Sequence, residues 1–157
     1  MRLLSPLLLL LFLLPGASVL SGCDSQQAGR CTSSDAFAID DITAEGAALG
    51  ATAQIGSCVT VDYVGRLAAT GATFDEGTGF TFPVVTGQGA TVIAGFALGV
   101  NNQRVGQTRR VTVPPNFGYG SEPVTTREGF ADIPSCSTLQ FDITLVRVNQ
   151  DTRLCGL

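Results

Sequence analysis

Residues 92–100 read Val92-Ile93-Ala94-Gly95-Phe96-Ala97-Leu98-Gly99-Val100, a stretch without a charged side chain. Ile93, Phe96, Ala97 and Val100 fall at i, i+3, i+4 and i+7, which is one face of a helix. Two glycines weaken that helix, and so short a helix does not stand alone in water. It needs packing, and the flanking sequence offers a sheet. Val59–Val64, Phe80–Val85, Arg110–Val113 and Leu139–Val148 are apolar, β-branched runs, and Tyr63, Phe74, Phe82, Phe117, Tyr119 and Phe141 cluster near the same places. These residues read as a half-barrel with an aromatic-walled pocket, floored by Val92–Phe96, and the pocket is where function is expected.

Outward from that stretch the chain punctuates into strands. Ala36–Ile42 alternates through Phe37, Ile39 and Ile42 as a first edge strand, and Glu45–Gly56, small and Gly/Ala-rich, is a loop. Val59–Val64 alternates and is β-branched, so it predicts a strand, with a bend or bulge at Gly65. Ala69-Thr70-Gly71 predicts a hairpin turn, and Thr73-Phe74-Asp75 a return strand that Gly77-Thr78-Gly79 breaks. Phe80–Val85 resumes it, with Pro83 marking an edge or bulged strand. Gly87-Gln88-Gly89 lacks the Lys-Ser/Thr of a phosphate loop and reads as a turn. Thr108–Val113 is a further strand, ended by Pro114-Pro115. Asn116–Pro134 is long and irregular for a compact domain, which suggests a functional loop. Leu139–Val148 is the longest alternating run and is expected at the sheet's centre.

Composition excludes several functions. The net charge is −4, lysine is absent, and the arginines are scattered apart from Arg109-Arg110, so nucleic acid is not an expected partner. Histidine is also absent, which removes the commonest general base and metal ligand and argues against Ser-His-Asp or Cys-His hydrolysis and against most zinc sites. No cofactor or metal is expected. Met1–Leu20 reads as an export signal: Arg2 is a minimal charged n-region, and a leucine-rich stretch, interrupted by Pro6, follows to Leu14. Leu20-Ser21-Gly22-Cys23 resembles the bacterial lipobox, in which the cysteine is acylated, so Cys23 is the expected lipidation site and the protein is expected to be anchored to an envelope membrane rather than to span it. Asp24–Ser34 reads as a polar tether. The resulting division is 1–22 signal, 23–34 lipidated cysteine and tether, and 35–157 the domain. The remaining Cys31, Cys58, Cys136 and Cys155 suggest two disulfides in an exported chain, and four cysteines leave three pairings open.

From about Gly56 to Val148 the chain resembles the FKBP-type peptidyl-prolyl cis-trans isomerases. The residues that carry the resemblance are Val61-Asp62-Tyr63-Val64-Gly65, Phe74-Asp75, Val92-Ile93-Ala94-Gly95-Phe96, Val105-Gly106-Gln107, Phe117-Gly118-Tyr119-Gly120, Ile133-Pro134 and Leu139-Gln140-Phe141-Asp142, in the family's order and with nearly its spacing. The resemblance implies an α+β fold: a five-stranded antiparallel half-barrel sheet wrapped around one short α-helix. It implies Asp75, Tyr119 and Ile93 as the catalytic residues, and Tyr63, Phe74, Phe82, Val92, Phe96, Ile133 and Phe141 as the substrate-binding wall. Phe96 stands where the most studied members carry tryptophan, and the loop after Asp75 lacks the arginine that often pairs with that aspartate. An extra residue near Ala90-Thr91 leaves the register of Phe80 and Phe82 open. The family's strand order further implies the pairs Cys31–Cys136 and Cys58–Cys155. A monomer is expected, with proline-containing polypeptides and macrolide inhibitors of the FKBP family as ligands.

Such a pocket has a chemistry that needs no nucleophile. Amide resonance opposes rotation by ~18–20 kcal/mol and places partial charge on the carbonyl oxygen, where water stabilises it. A twisted amide has lost much of that charge separation, so an apolar, water-excluding pocket disfavours the planar form more than the transition state. On this reading the backbone N–H of Ile93 and the hydroxyl of Tyr119 hold substrate carbonyls, while Asp75 orients the pocket through Tyr63. The alternative expectation is a binding or chaperone module that uses the same pocket with little turnover.

Overall fold

The structure, a computed structural model, describes residues 31–32, 35–43, 50–150 and 155. The export signal, Cys23 and the tether apart from Cys31 and Thr32 lie outside the described residues, as does the start of the Glu45–Gly56 loop. Among the described residues, five strands and one α-helix follow in the order β1 (Ala38–Asp41), β2 (Cys58–Leu67), β3 (Thr73–Pro83), α1 (Ala94–Val100), β4 (Thr108–Val113) and β5 (Leu139–Asn149). The strands form one open sheet in the order β1-β4-β5-β2-β3. Every neighbouring pair is antiparallel. β5, the longest alternating run in the sequence, holds the centre, and it buries Leu139, Phe141, Ile143 and Leu145 on one face.

α1 lies across that face, against β4 and β5. Ile93 is its N-cap, with extended backbone, so the helix begins two residues later than Val92. The glycines that cost helix propensity have a packing role. A Cβ on Gly99 would meet Val111 Cγ2 at 2.6 Å, and one on Gly95 would run into both methyl groups of Val113. The helix therefore sits closer to β4 than any other residue at those positions would allow. Its far end is held by Arg109, an inward-facing residue of β4 that is only 9% exposed. Arg109 Nη1 donates to Asn101 O at 3.0 Å and Nη2 to Asn102 O at 3.2 Å, while Nε pairs with Asp41 at 2.6 Å. A cation satisfies carbonyls that a helix C-terminus leaves unpaired, and the charge suits the helix dipole.

Two departures from the sequence expectation have plain causes. β1 is shorter than Ala36–Ile42, and Ile39 and Ile42 are 40% and 50% exposed rather than inward-facing. Among the described residues it is an edge strand joined by its backbone to β4 alone, and Phe37, just before it, packs against Phe117. Gly77-Thr78-Gly79 does not break β3. Between Val61↔Phe80 and Tyr63↔Gly77 the register shifts, so these residues form a bulge within a continuous strand, with Gly79 N–H donating to Asp62 Oδ1 at 2.7 Å. The Asn116–Pro134 segment is ordered: a 3-10 turn at Pro115–Phe117 opens it, and Val124 and Ile133 pair as an antiparallel bridge.

Cys31 is bonded to Cys136 and Cys58 to Cys155, the two pairs that the strand order implied. Their sequence separations of 105 and 97 residues close loops whose chain-entropy contribution is at most ~4–5 kcal/mol each.

The helix packing generates a stability prediction. Gly99→Ala lowers stability by about 1–3 kcal/mol, although alanine is the better helix former by about 1 kcal/mol, because the added methyl group overpacks the α1–β4 contact. Denaturant unfolding checks this, and a variant more stable than the parent contradicts the packing.

Candidate active site

Phe96 is the hub of the site. α1 points it inward at the sheet, where it is 3% exposed, and three rings surround it. Ring centroids lie 5.3 Å away for Tyr63, 5.4 Å for Phe82 and 5.1 Å for Phe141, with Tyr63 and Phe141 edge-on. Phe74 stands edge-on to Phe141 at 5.4 Å. Edge-to-face pairs at these separations add to what area burial alone contributes and fix the rings' orientation. The cluster joins α1, β2, β3 and β5 and leaves an open cleft of about 250 Å³ above it.

Tyr63, Phe74, Asp75, Val92, Ile93, Phe96, Tyr119 and Phe141 line that cleft, so eight of the ten residues expected there are brought together. Phe82 and Ile133 are not among them. Phe82 is 1% exposed and packs beneath the wall, against Phe96, while Phe80 is 37% exposed, stacks on Phe82 at 5.5 Å and takes its place at the cleft. Ile133, also buried, lines a neighbouring cleft of about 260 Å³ with Phe74, Asp75, Tyr119, Val124, Thr126 and Arg127. Thr91 joins the main cleft as well. Phe80 and Phe82, two residues apart, share one face of β3, so alternation alone does not tell which of them reaches the cleft.

The polar groups converge on Asp75. Tyr63 donates its hydroxyl to Asp75 Oδ2 at 2.6 Å. The close fit of this pair uses Gly77, since a Cβ there would lie 2.8 Å from the Tyr63 ring. Burial, together with the bond and the negative charge of Asp75, pushes the Tyr63 phenol well above its ordinary value. Burial first and the same charge second also raise the Tyr119 phenol. Both hydroxyls therefore stay protonated and able to donate at neutral pH. The Asp75 partner that the loop after it lacks comes from elsewhere: Arg127 Nη2 lies 3.2 Å from Asp75 Oδ1. Nothing local in the sequence links residues 75 and 127. At the helix entrance, the first hydrogen bonds run from Phe96 and Ala97 N–H to Ile93 O, so the Ile93 N–H itself precedes the ladder. Among the described residues no group of His, Cys, Asp and Glu could hold a metal ion.

The arrangement is an apolar, aromatic cleft with neutral donors at its rim. The family pattern of FKBP-type peptidyl-prolyl cis-trans isomerases matches residues 50–146, and the chain belongs to that family. It is 44% identical to FK506-binding protein 3 of Candida albicans over 98 residues, which are 62% of this chain and 21% of that protein. It is 37% identical to peptidyl-prolyl cis-trans isomerase FKBP15-3 of Arabidopsis thaliana over 102 residues, 63% of this chain and 65% of that one. The chain thus spans about a fifth of the length of the Candida relative and of another from Arabidopsis. Among solved structures it is similar to a peptidyl-prolyl cis-trans isomerase of Pseudomonas syringae pv. tomato (TM-score 0.58, 26% identity, 80% of this chain and 84% of that one). It is similar also to FkpA of Escherichia coli (TM-score 0.56, 27% identity, 79% of this chain and 53% of that one).

The tyrosines supply a direct check of the site's electrostatics, since the chain has two tyrosines and no tryptophan. In an ultraviolet titration of the native protein both phenols ionise above free tyrosine. Asp75→Asn brings both of them down, Tyr63 the more, because it removes the negative charge that opposes both phenolates and the carboxylate that the Tyr63 hydroxyl is bonded to. A native tyrosine ionising at or below the free value contradicts the geometry.

Proposed function

We propose that the cleft catalyses cis-trans isomerisation of X-Pro bonds in exported polypeptides, without covalent or acid-base chemistry. The observation that carries this is the cleft itself: aromatic walls set edge-on around Phe96, with the neutral donors of Ile93 N–H and Tyr119 at the rim and Asp75 held by Tyr63. A prolyl ring seated on Phe96 between Tyr63, Phe80 and Phe141 brings its amide out of water. Desolvation raises the planar, charge-separated amide more than the twisted one, and the rim donors hold the flanking carbonyls as rotation proceeds. Bringing a step that takes tens to hundreds of seconds down to a second or less asks for only a few kcal/mol, at ~1.4 kcal/mol per tenfold.

The reading extends to location. The leucine-rich segment to Leu14 and the lipobox-like Leu20-Ser21-Gly22-Cys23 support export and acylation of Cys23, and two disulfides suit an oxidising compartment. Two acyl chains on Cys23 are strong enough to anchor the domain to an envelope membrane through the segment to Ser34. No helix of the described residues is long and apolar enough to cross a membrane.

A protease-coupled assay with a proline-containing peptide tests the activity, and an uncatalysed rate at high protein concentration contradicts it. Tyr119→Phe lowers kcat/KM by the equivalent of ~0.5–1.5 kcal/mol, one neutral hydrogen bond. Asp75→Val costs more, because it also frees the Tyr63 wall. Wild-type rates in both folded variants contradict the assigned site. Cys23→Ser releases the protein from the membrane fraction with its turnover intact, and mass spectrometry of the mature N-terminus reads the acylation directly. A mature N-terminus other than acylated Cys23 contradicts the anchor.

A further inference from the structure

The connection between β4 and β5 carries Tyr119 and then rises as a small hairpin. Val124 and Ile133 exchange backbone hydrogen bonds at 2.9 Å in both directions, and Phe130 N–H closes the tip onto Arg127 O at 3.2 Å. The base of the hairpin is fixed by Cys136 N–H on Gly120 O at 2.8 Å and by the Cys31–Cys136 disulfide. The tip has a different attachment. Arg127 reaches across to β3, where its Nη2 pairs with Asp75 Oδ1 at 3.2 Å and donates to Glu76 O at 3.1 Å. Its guanidinium also lies over the Phe130 ring, 4.3 Å from the centroid, so the side chain is held from the hairpin's side as well. Ala131 N–H, donating to Thr73 O at 3.0 Å, completes the seam between hairpin and β3. Beneath this seam lies the cleft of about 260 Å³ that adjoins the main one through Phe74, Asp75 and Tyr119.

Both oxygens of the Asp75 carboxylate are thus engaged. Oδ2 accepts the Tyr63 hydroxyl, and Oδ1 faces Arg127. A carboxylate held at one oxygen only can turn about its χ angles, and its hold on the Tyr63 ring then loosens. We propose that Arg127 is a positioning residue of the isomerase site: it latches the hairpin tip onto β3 and fixes the Asp75 carboxylate, so that Tyr63 keeps its place in the cleft wall and Tyr119 its place over the cleft. The inference rests on the isomerase reading above. Arg127 and Asp75 are 60% and 43% exposed in their side chains, so the pair is open to screening by salt, and that sensitivity is its signature.

The test uses the full chain with Arg127→Ala, Arg127→Gln and Arg127→Lys, in two measurements. In steady-state prolyl-peptide kinetics, Arg127→Ala and Arg127→Gln raise KM roughly three- to tenfold with kcat little changed, the scale of one exposed ion pair plus one charge-assisted hydrogen bond. Arg127→Lys recovers part of the loss, and the KM of the parent rises with ionic strength while that of Arg127→Gln does not. In amide hydrogen exchange, the Val124 and Ala131 N–H groups exchange faster in Arg127→Ala, with those of β2 and β5 unchanged. An unchanged KM in Arg127→Ala overturns the positioning role, and unchanged exchange at Val124 and Ala131 overturns the latch. A parent protein that turns over no peptide refutes the isomerase reading and with it the positioning role, and the exchange measurement still decides the latch by itself.

Discussion

The structure depends on how closely α1 lies to β4. Glycine at 95 and 99 lets the helix backbone settle onto Val113 and Val111, and Arg109 ties the helix's end to the same strand and to β1. That depth decides where Phe96 reaches. A helix lifted by one methyl group at each contact would draw Phe96 away from Tyr63, Phe82 and Phe141 and carry Ile93 away from the rim. Interiors transmit such shifts because they are close-packed. The floor of the cleft is therefore set by two absent side chains as much as by the aromatic ones present.

Around that floor the polar groups are arranged as fixed dipoles and not as proton carriers. Tyr63 is bonded to Asp75, its phenol held protonated by burial and by that charge, and Tyr119 is held protonated in the same way. Once a bound prolyl segment covers the cleft, donors that need no reorganisation suit a reaction whose only covalent change is loss and recovery of amide resonance. This fits a chain without histidine. It also explains why the aromatic wall is braced from both sides, by Phe82 behind Phe96 and Phe80, and by Arg127 beyond Asp75.

Much of this is legible in the sequence. The period of Ile93, Phe96, Ala97 and Val100 marked the helix, and the alternation of Leu139–Val148 marked the central strand. With the family's strand order these also placed Cys31 near Cys136 and Cys58 near Cys155. What escaped has physical reasons. The bulge at Gly77-Thr78-Gly79 shifts the register of β3 against β2, and Phe80 and Phe82 share one face of the strand, so alternation does not tell that the more exposed Phe80 reaches the cleft while Phe82 is buried against Phe96. Glycine in a helix reads as a weakness until the partner surface is known, because the close approach it permits is a tertiary property. Arg127 lies far from Asp75 in sequence, on a hairpin whose fold rests on one backbone bridge and its turn, so periodicity carries no sign of the pairing.

The central claim is that the cleft acts by desolvation and fixed donors, with no titrating acid or base in the turnover. The pH dependence of kcat/KM for one uncharged prolyl peptide tests it most directly, because acid-base catalysis leaves a bell or a step with the pKa of the group that performs it. The account predicts a flat profile from about pH 6 to 9, with both tyrosines protonated throughout. A bell-shaped profile, or a step within that range in a protein that stays folded, would contradict it.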